Sequence, residues 1–161
     1  MQTESNSLKD QLRNIIDEAR MLLPGLQALF GFQTVAVFNQ RFTELPLFER
    51  YSHLVALSLV VLSVGLLMTP AAYHRIVEPH QVSEKTLNVA SFLICISLLP
   101  LAMALALDMF VVTSLATHEP ALSIGAGVAA LLLLMALWFV FPFRERRRRF
   151  VRNRDTAAAF R

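Results

Sequence analysis

The chain has 161 residues, of which 55% are hydrophobic and 17% charged, and its formal net charge is +3. An average soluble domain is about 45–50% apolar and about 25% charged, so this composition argues against a soluble globular protein. The single cysteine, Cys95, excludes an internal disulfide and any zinc or iron–sulfur site built from the cysteines of one chain. A membrane protein is the class that fits.

Residues 1–22 predict a cytoplasmic amphipathic helix, which lies on the membrane or against the rest of the protein. They are not a signal peptide, because no basic segment is followed by an apolar core. Ser7 is expected to cap the helix, and apolar side chains then recur on one face from Leu8 to Leu23. The Pro24-Gly25 pair is expected to bend or end this helix where the first span begins. A dedicated partner-binding helix is the alternative.

Four apolar segments predict four transmembrane helices, because a bilayer core of about 30 Å needs about 20 apolar residues per helix. They cover about residues 23–40, 52–73, 87–115 and 121–143. The first is the weakest because two glutamines and a threonine interrupt it. The third is so long that it must tilt, kink at Pro100 or emerge from the membrane. The fold expected is an all-α membrane protein, a four-helix bundle with the N-terminal amphipathic helix.

The distribution of Lys and Arg predicts that both termini are cytoplasmic. These residues are enriched in the cytoplasmic segments that flank spans. The N-terminal segment, the loop between the second and third spans, and the tail 144–161 together hold 13 of the 15 Lys and Arg residues. The opposite side holds only Arg41 and Arg50. With four spans, these three rich segments share one side of the membrane.

The C-terminal tail begins with an arginine run beside the aromatic end of the fourth span. In the simplest interpretation the run anchors the topology. As an alternative it binds anionic lipid headgroups, to which each arginine near the surface contributes about 1 kcal/mol. Nucleic acid is not expected as a partner, because no folded domain follows to present the charge. The arginines are Arg144, Arg146, Arg147, Arg148 and Arg149.

Three short motifs stand out along the chain: LPG at 23–25 followed by Gln27, QRF at 40–42, and PAAYHR at 70–75. Together they resemble an uncharacterised bacterial family of small four-span membrane proteins. PAAYHR is the most specific of the three, and the resemblance covers about residues 8–115. It implies a bacterial inner-membrane protein with four helices, and it implies no activity.

Asp108 is the only acidic residue inside a predicted span. It follows Leu87 by 21 residues, which is about 31 Å along a helix, so it should approach the outer boundary of the membrane. A carboxylate at this depth is costly and suggests a functional site. Two hypotheses stay open, a structural pair with Arg41, Arg50 or His53, and a role in binding a proton or cation.

A polar cluster marks the cytoplasmic end of the second span. It comprises Pro70, Tyr73, His74 and Arg75. Tyrosine and arginine at this level are ordinary interface anchors. The alternative is a polar network that ties the inner loop to the N-terminal helix, for instance through Arg75 with Asp17 or Glu18.

Small residues at four-residue spacing predict where helices pack closely. In the last span they are Ala121, Gly125 and Ala129, and in the second span they are Gly65 and Thr69. A stripe of polar and small residues on the first span is expected to face away from lipid. It consists of Gln27, Gly31 and Thr34.

No motif in the chain predicts an enzyme. A phosphate loop, a metalloprotease helix and a nucleophile elbow are all missing from the sequence. His53 and His74 lie about 31 Å apart on one helix and cannot ligate the same haem. A metal site of His53, Asp108, His118 and Glu119 is conceivable, but nothing in their spacing is diagnostic, so neither a cofactor nor a metal is expected.

A non-enzymatic accessory or structural subunit of the bacterial inner membrane is therefore the leading hypothesis. The alternative is a small oligomeric ion or proton channel, or a transporter subunit, in which Asp108 and the stripe on the first span line a polar path. A homo-oligomer and a different membrane-protein partner are both open.

Overall fold

The computed structural model describes the backbone of residues 2–77 and 82–148 and the side chains of residues 7–40, 42–77 and 82–148. Within these ranges the chain is helical and contains no strand. The helices are α1 (Gln2–Val37), α2 (Gln40–Glu44), α3 (Leu47–Val77), α4 (Glu84–Thr117) and α5 (Pro120–Met135). A π-helical segment, Ala136–Val140, follows α5, and this C-terminal helix continues to Arg148.

Three helices are long and apolar enough to cross a membrane. They are α3, α4 and the C-terminal helix Pro120–Arg148. The second, third and fourth predicted spans fall within them, so the prediction of a helical membrane protein is confirmed at this level. α1 is not one of the three, because charged residues fill its first half and polar residues interrupt its second.

α1 differs from its prediction at two points. It begins at Gln2 rather than at Ser7, whose hydroxyl lies inside the helix and accepts a hydrogen bond from the Gln11 side chain at 3.4 Å. It also continues through Pro24 instead of ending there. A proline in a helix interior removes one backbone hydrogen bond, but residues on both sides of Pro24 pack against α3 and α4, which keeps the helix continuous.

The core lies between α1, α3 and α4, where buried positions are spaced seven, or alternately three and four, residues apart. This heptad spacing is typical of helices that pack in a left-handed bundle. On α1 the buried residues are Leu12, Ala19, Leu26 and Gln33. On α3 they include His53, Ala56, Val60, Ser63, Leu67 and Pro70. On α4 they include Leu87, Ala90, Ile94, Ser97, Leu101, Ala104 and Val111.

α3 and α4 run antiparallel and are joined at mid-length by a buried hydrogen bond. The Ser63 hydroxyl donates to the backbone carbonyl of Ser97 at 2.6 Å, and both residues are fully buried. Small residues at a helix interface let the two backbones approach closely. α4 continues past Pro100, three residues later, without ending.

α5 lies outside this core and packs on α4 through Ser123 and Gly127, both of which are buried. A Cβ added to Gly127 would lie 3.0 Å from the carbonyl oxygen of Ala106 and 3.1 Å from Cβ of Phe110. The two backbones therefore meet at Gly127.

The predicted small-residue stripes do not lie on the faces at which the helices of this chain pack against one another. In α5 the predicted residues are exposed, as are both predicted residues of α3: Ala121, Gly125, Ala129, Gly65 and Thr69. Two sets of small residues share the four-residue spacing on α5, and spacing alone does not decide which set faces α4. The stripe predicted on α1 also faces outward at Gln27 and Gly31.

The remainder of the C-terminal helix is largely exposed, as expected for a helix that contacts lipid. Large apolar side chains such as Leu132, Leu133 and Phe141 are all more than half exposed. Trp138, in the π-helical segment, packs against the core between the other helices. Pro142 follows this segment and lacks an amide hydrogen, so one α-helical hydrogen bond to the preceding turn is missing. The wider π-helical turn accommodates this missing bond.

Gly127→Ala should weaken the packing of α5 on α4, because the atoms that the new methyl group meets belong to the backbone of α4 or lie next to it. We expect a loss of about 1–3 kcal/mol in the free energy of unfolding, measured by denaturation of the purified protein in detergent. Gly125→Ala is the matched control, since nothing lies within 4 Å of a Cβ at Gly125. Equal stability of the two variants would contradict this packing.

Candidate functional site: a polar layer at one end of the bundle

Gln33, His53 and Asp108 form a polar layer at one end of the bundle. Each lies near an end of the series of core positions on its helix: Gln33 on α1, His53 on α3 and Asp108 on α4. Asp108 stands four residues after buried Ala104 and three before buried Val111, so it occupies a heptad core position. The packing pattern that builds the core therefore also brings these three side chains together.

The contacts in the polar layer connect all three helices. The Gln33 amide nitrogen donates to Oδ2 of Asp108 at 2.6 Å. His53 Nε2 contacts the backbone carbonyl oxygen of Gln33 at 2.9 Å, and its Nδ1 lies 3.9 Å from Oδ1 of Asp108. Gln33 and His53 are 4% and 5% exposed, and the Asp108 side chain is 18% exposed. The carboxylate is thus sheltered and held by an uncharged donor.

The contacts of His53 set the orientation of its ring. A carbonyl oxygen only accepts, so Nε2 of His53 carries the hydrogen that it donates to Gln33. The second nitrogen, Nδ1, therefore faces the Asp108 carboxylate, 3.9 Å from Oδ1. His53 thus connects α3 both to the backbone of α1 and to the side chain of Asp108 on α4.

A cavity of about 370 Å³ lies beside the polar layer. Its walls are mainly apolar side chains of α1 and α4, with Gln33, His53 and Asp108 exposed to it. Phe42 of α2 also borders this cavity and covers the imidazole of His53 edge-on, with ring centroids 5.3 Å apart. Oε1 of Gln33 is buried and accepts no hydrogen bond from the residues that the structure describes. The cavity thus reaches groups that are able to bind a small polar species.

The structure brings together Asp108 and His53, but it places Arg50 elsewhere. Arg50 donates through Nε to the carbonyl oxygen of Leu45 at 2.8 Å, and through Nη2 to the carbonyl oxygen of Thr43. Its guanidinium therefore fastens the turn between α2 and α3, because these carbonyls lack partners at the end of the short helix α2. The side chain of Arg41 lies outside the described residues.

Gln33 is the site residue that the sequence analysis missed. It was treated only as a polar interruption of the first span, while Gln27 and Thr34 were assigned to the polar stripe. The signal that identifies it is the seven-residue spacing from Leu12 through Ala19 and Leu26 to Gln33. Gln27 does not follow this spacing and is exposed.

A family model matches residues 1–142 of the chain. This range includes the helices α1 to α5 and the π-helical segment. The chain belongs to DUF6328, a family of unknown function. No curated protein and no solved structure matches it. The predicted resemblance to an uncharacterised family is therefore confirmed. The match reaches further than the predicted residues 8–115 at both ends, so α5 is part of what defines DUF6328.

The cytoplasmic cluster predicted in this DUF6328 protein lies at the other end of α3. Pro70 is buried, Tyr73 and His74 are half-buried, and Arg75 is exposed. Arg75 does not pair with Asp17, which instead contacts Arg20, one turn later on α1, at 3.5 Å. His74 is the member of the cluster that faces α1.

The predicted lipid-binding arginines are exposed where the structure describes them. Arg144, Arg146, Arg147 and Arg148 lie on the last turns of the C-terminal helix, and Arg149 lies outside the described residues. Within the described part of the chain, no group of three or more His, Cys, Asp or Glu side chains is placed to hold a metal ion.

Gln33→Leu should destabilise the DUF6328 bundle, because it leaves the sheltered Asp108 carboxylate without its amide donor. We expect a loss of about 1–3 kcal/mol in the free energy of unfolding in detergent. Gln27→Leu is the matched control on the same helix, since Gln27 is exposed, and it should leave stability unchanged or raise it. Identical effects of the two changes would remove Gln33 from the polar layer.

Asp108→Asn should cost less than Asp108→Leu. Asparagine keeps an oxygen that accepts from Gln33, whereas leucine leaves both polar atoms of the buried Gln33 amide without a partner. We expect a loss below about 1 kcal/mol for asparagine and about 1–3 kcal/mol for leucine. Thermal and chemical unfolding of both variants tests the order, and wild-type stability in both would contradict a structural role of Asp108.

Proposed function

We propose that the protein is a four-span protein of the bacterial inner membrane that acts as a non-enzymatic accessory or structural subunit. Both termini face the cytoplasm in this proposal, as the distribution of Lys and Arg predicts. Its biochemical contribution is a stable helical scaffold in the bilayer. A second copy of the chain or another membrane protein would be the partner that the scaffold supports.

The contacts of α1 and the composition of its second half support α1 as the first of the four spans. Leu12 packs with Leu87 and Ala90 near the start of α4, and Gln33 bonds to Asp108 near its other end. Leu12 to Gln33 and Leu87 to Asp108 are each 21 residues, or about 31 Å of helix, so α1 runs alongside α4 over that length. Residues 21–40 carry no charged side chain and are long enough to cross a bilayer core of about 30 Å.

One observation carries the structural role: the polar layer does not continue into the bundle. Directly beneath it the core consists of Ala56, Val60 and Ala104, which are 0% exposed. Water and ions therefore meet a closed apolar core below Asp108. The polar side chains of the layer connect α1 to α3 and α4. Hydrogen bonds of this kind stabilise the association of helices in lipid.

A proton or cation role for Asp108 is the second candidate, and the cavity beside the layer favours it. That cavity reaches Asp108, and the buried Oε1 of Gln33 adds an acceptor without a partner. A complete path across the membrane would need a second chain, because the single chain has a closed core. The proton or cation role of Asp108 therefore requires an oligomer.

Flux through liposomes that contain the purified protein separates the two candidates. A scaffold should give no proton or cation leak above that of empty liposomes, and Asp108→Asn should change nothing. A leak that the wild-type protein causes and Asp108→Asn abolishes would overturn the scaffold and establish the channel or transporter subunit. The unfolding data for the same variant show whether it is folded in the assay.

Reporter fusions test the four spans and the orientation independently of function. A reporter that is active only in the cytoplasm should work when fused before Met1 or after Arg161. A reporter that is active only in the periplasm should work when inserted near Glu44 or Glu119, between the spans. Cytoplasmic activity of an insertion near Glu119 would contradict either the number of spans or their orientation.

A further inference from the structure

A basic cleft of about 300 Å³ lies between α1 and the end of α3, at the end of the bundle opposite to the polar layer. His74 follows His53 by 21 residues on α3, which is about 31 Å, close to the thickness of a bilayer core. If the His53 end of α3 is at one surface of the membrane, His74 and the cleft are therefore at the level of the lipid headgroups of the opposite surface. The polar residues that line it are Lys9, Arg13, Asp17, Arg20 and His74.

The charges of the basic cleft leave a surplus of cations. Among the residues that the structure describes, three cationic side chains face it against the carboxylate of Asp17. Asp17 contacts Arg20 at 3.5 Å, but their side chains are 50% and 73% exposed, and a pair so open to solvent neutralises little. Lys9 and Arg13 form no ion pair with any residue that the structure describes. The described acidic residues Asp10, Glu18 and Glu84 do not line the cleft, and Glu78 lies outside the described residues.

His74 supplies a second observation at the same place. Its Nδ1 atom is buried and has no hydrogen-bond partner among the residues that the structure describes, although the ring as a whole is half-buried. A buried polar atom without a partner in a folded protein calls for an explanation. An anion in the cleft would lie beside the His74 ring and would meet the surplus cations.

We propose that the basic cleft binds a phosphate group, and that an anionic lipid headgroup at the membrane surface supplies it. An arginine guanidinium matches the oxygens of a phosphate with two parallel N–H donors, and Arg13 and Arg20 border the same cleft. Leu12, Ile16 and Val82 give the cleft an apolar wall, which suits the glycerol and acyl part of a lipid. This site is separate from the arginine run of the tail and does not depend on the function of Asp108.

The test uses the full-length protein in a neutral detergent and four probes. Dioctanoyl phosphatidylglycerol is compared with dioctanoyl phosphatidylcholine, inorganic phosphate and glycerol 3-phosphate. Each is titrated while the thermal unfolding midpoint and the imidazole NMR signals of His74 are recorded. We expect saturable stabilisation and a shift of the His74 signals with phosphatidylglycerol, and neither with phosphatidylcholine.

Matched variants assign the binding to the cleft. Arg13→Gln should weaken binding of phosphatidylglycerol on the order of tenfold, as expected for the loss of one charge-assisted contact. Arg75→Gln removes the same charge next to His74 in sequence, but Arg75 does not line the cleft, so affinity should stay within about twofold. Arg13 is exposed, so its variant should fold, which circular dichroism checks.

Each outcome decides the proposal. The expected pattern for phosphatidylglycerol supports the lipid headgroup as the source. Binding of inorganic phosphate or glycerol 3-phosphate as tightly as the lipid, with the same dependence on Arg13, keeps the phosphate site but assigns it to a soluble ligand. Absence of binding by all anionic probes, or equal weakening by Arg13→Gln and Arg75→Gln, would overturn the basic cleft as a site.

Discussion

The hydrogen bond between Gln33 and Asp108 is the interaction on which the arrangement of the helices depends most. In lipid, apolar side chains gain little by leaving one apolar surrounding for another, so close packing and hydrogen bonds between helices decide which helices associate. α1 is the least apolar of the long helices, and it meets α3 and α4 through few buried side chains. The bond to Asp108 at 2.6 Å fixes its register along α4 and satisfies the carboxylate at the same time.

The hydropathy of the sequence predicts the helices of this protein well and their contacts less well. Three long apolar runs coincide with α3, α4 and the C-terminal helix, because an apolar run has one interpretation in a membrane. Asp108 was found because no other carboxylate lies in a span. Gln33 was missed because a polar residue in a weak span indicates only an interruption, and the signal that places it in the core is its seven-residue spacing from Leu26 and Ala19. The spacing of residues is needed to predict which face of a helix is buried. In α5 the spacing does not distinguish the face of Gly125 from the face of Gly127.

The two ends of α3 differ in their polar contacts. At one end His53 lies in a layer whose polar atoms mostly contact one another. At the other end His74 faces a cleft whose cations have few partners within the chain. Between the two ends the core is made of small and apolar side chains, with the Ser63–Ser97 bond as its buried polar contact between α3 and α4. The polar contacts that join the helices and the cations with few partners therefore lie at opposite ends of α3.

The sequence distance between Gln33 and Asp108 has a consequence for biosynthesis. The two residues are 75 positions apart, so α1 emerges from the ribosome long before α4 exists. Until then the Gln33 amide lacks the partner that it has in the folded protein, and an amide exposed to hydrocarbon is costly. α3 and α4 are separated by only six residues in sequence. The core between α1, α3 and α4 therefore stays incomplete until α4 has been synthesised, and a ribosome that stalls before Asp108 leaves Gln33 without its partner.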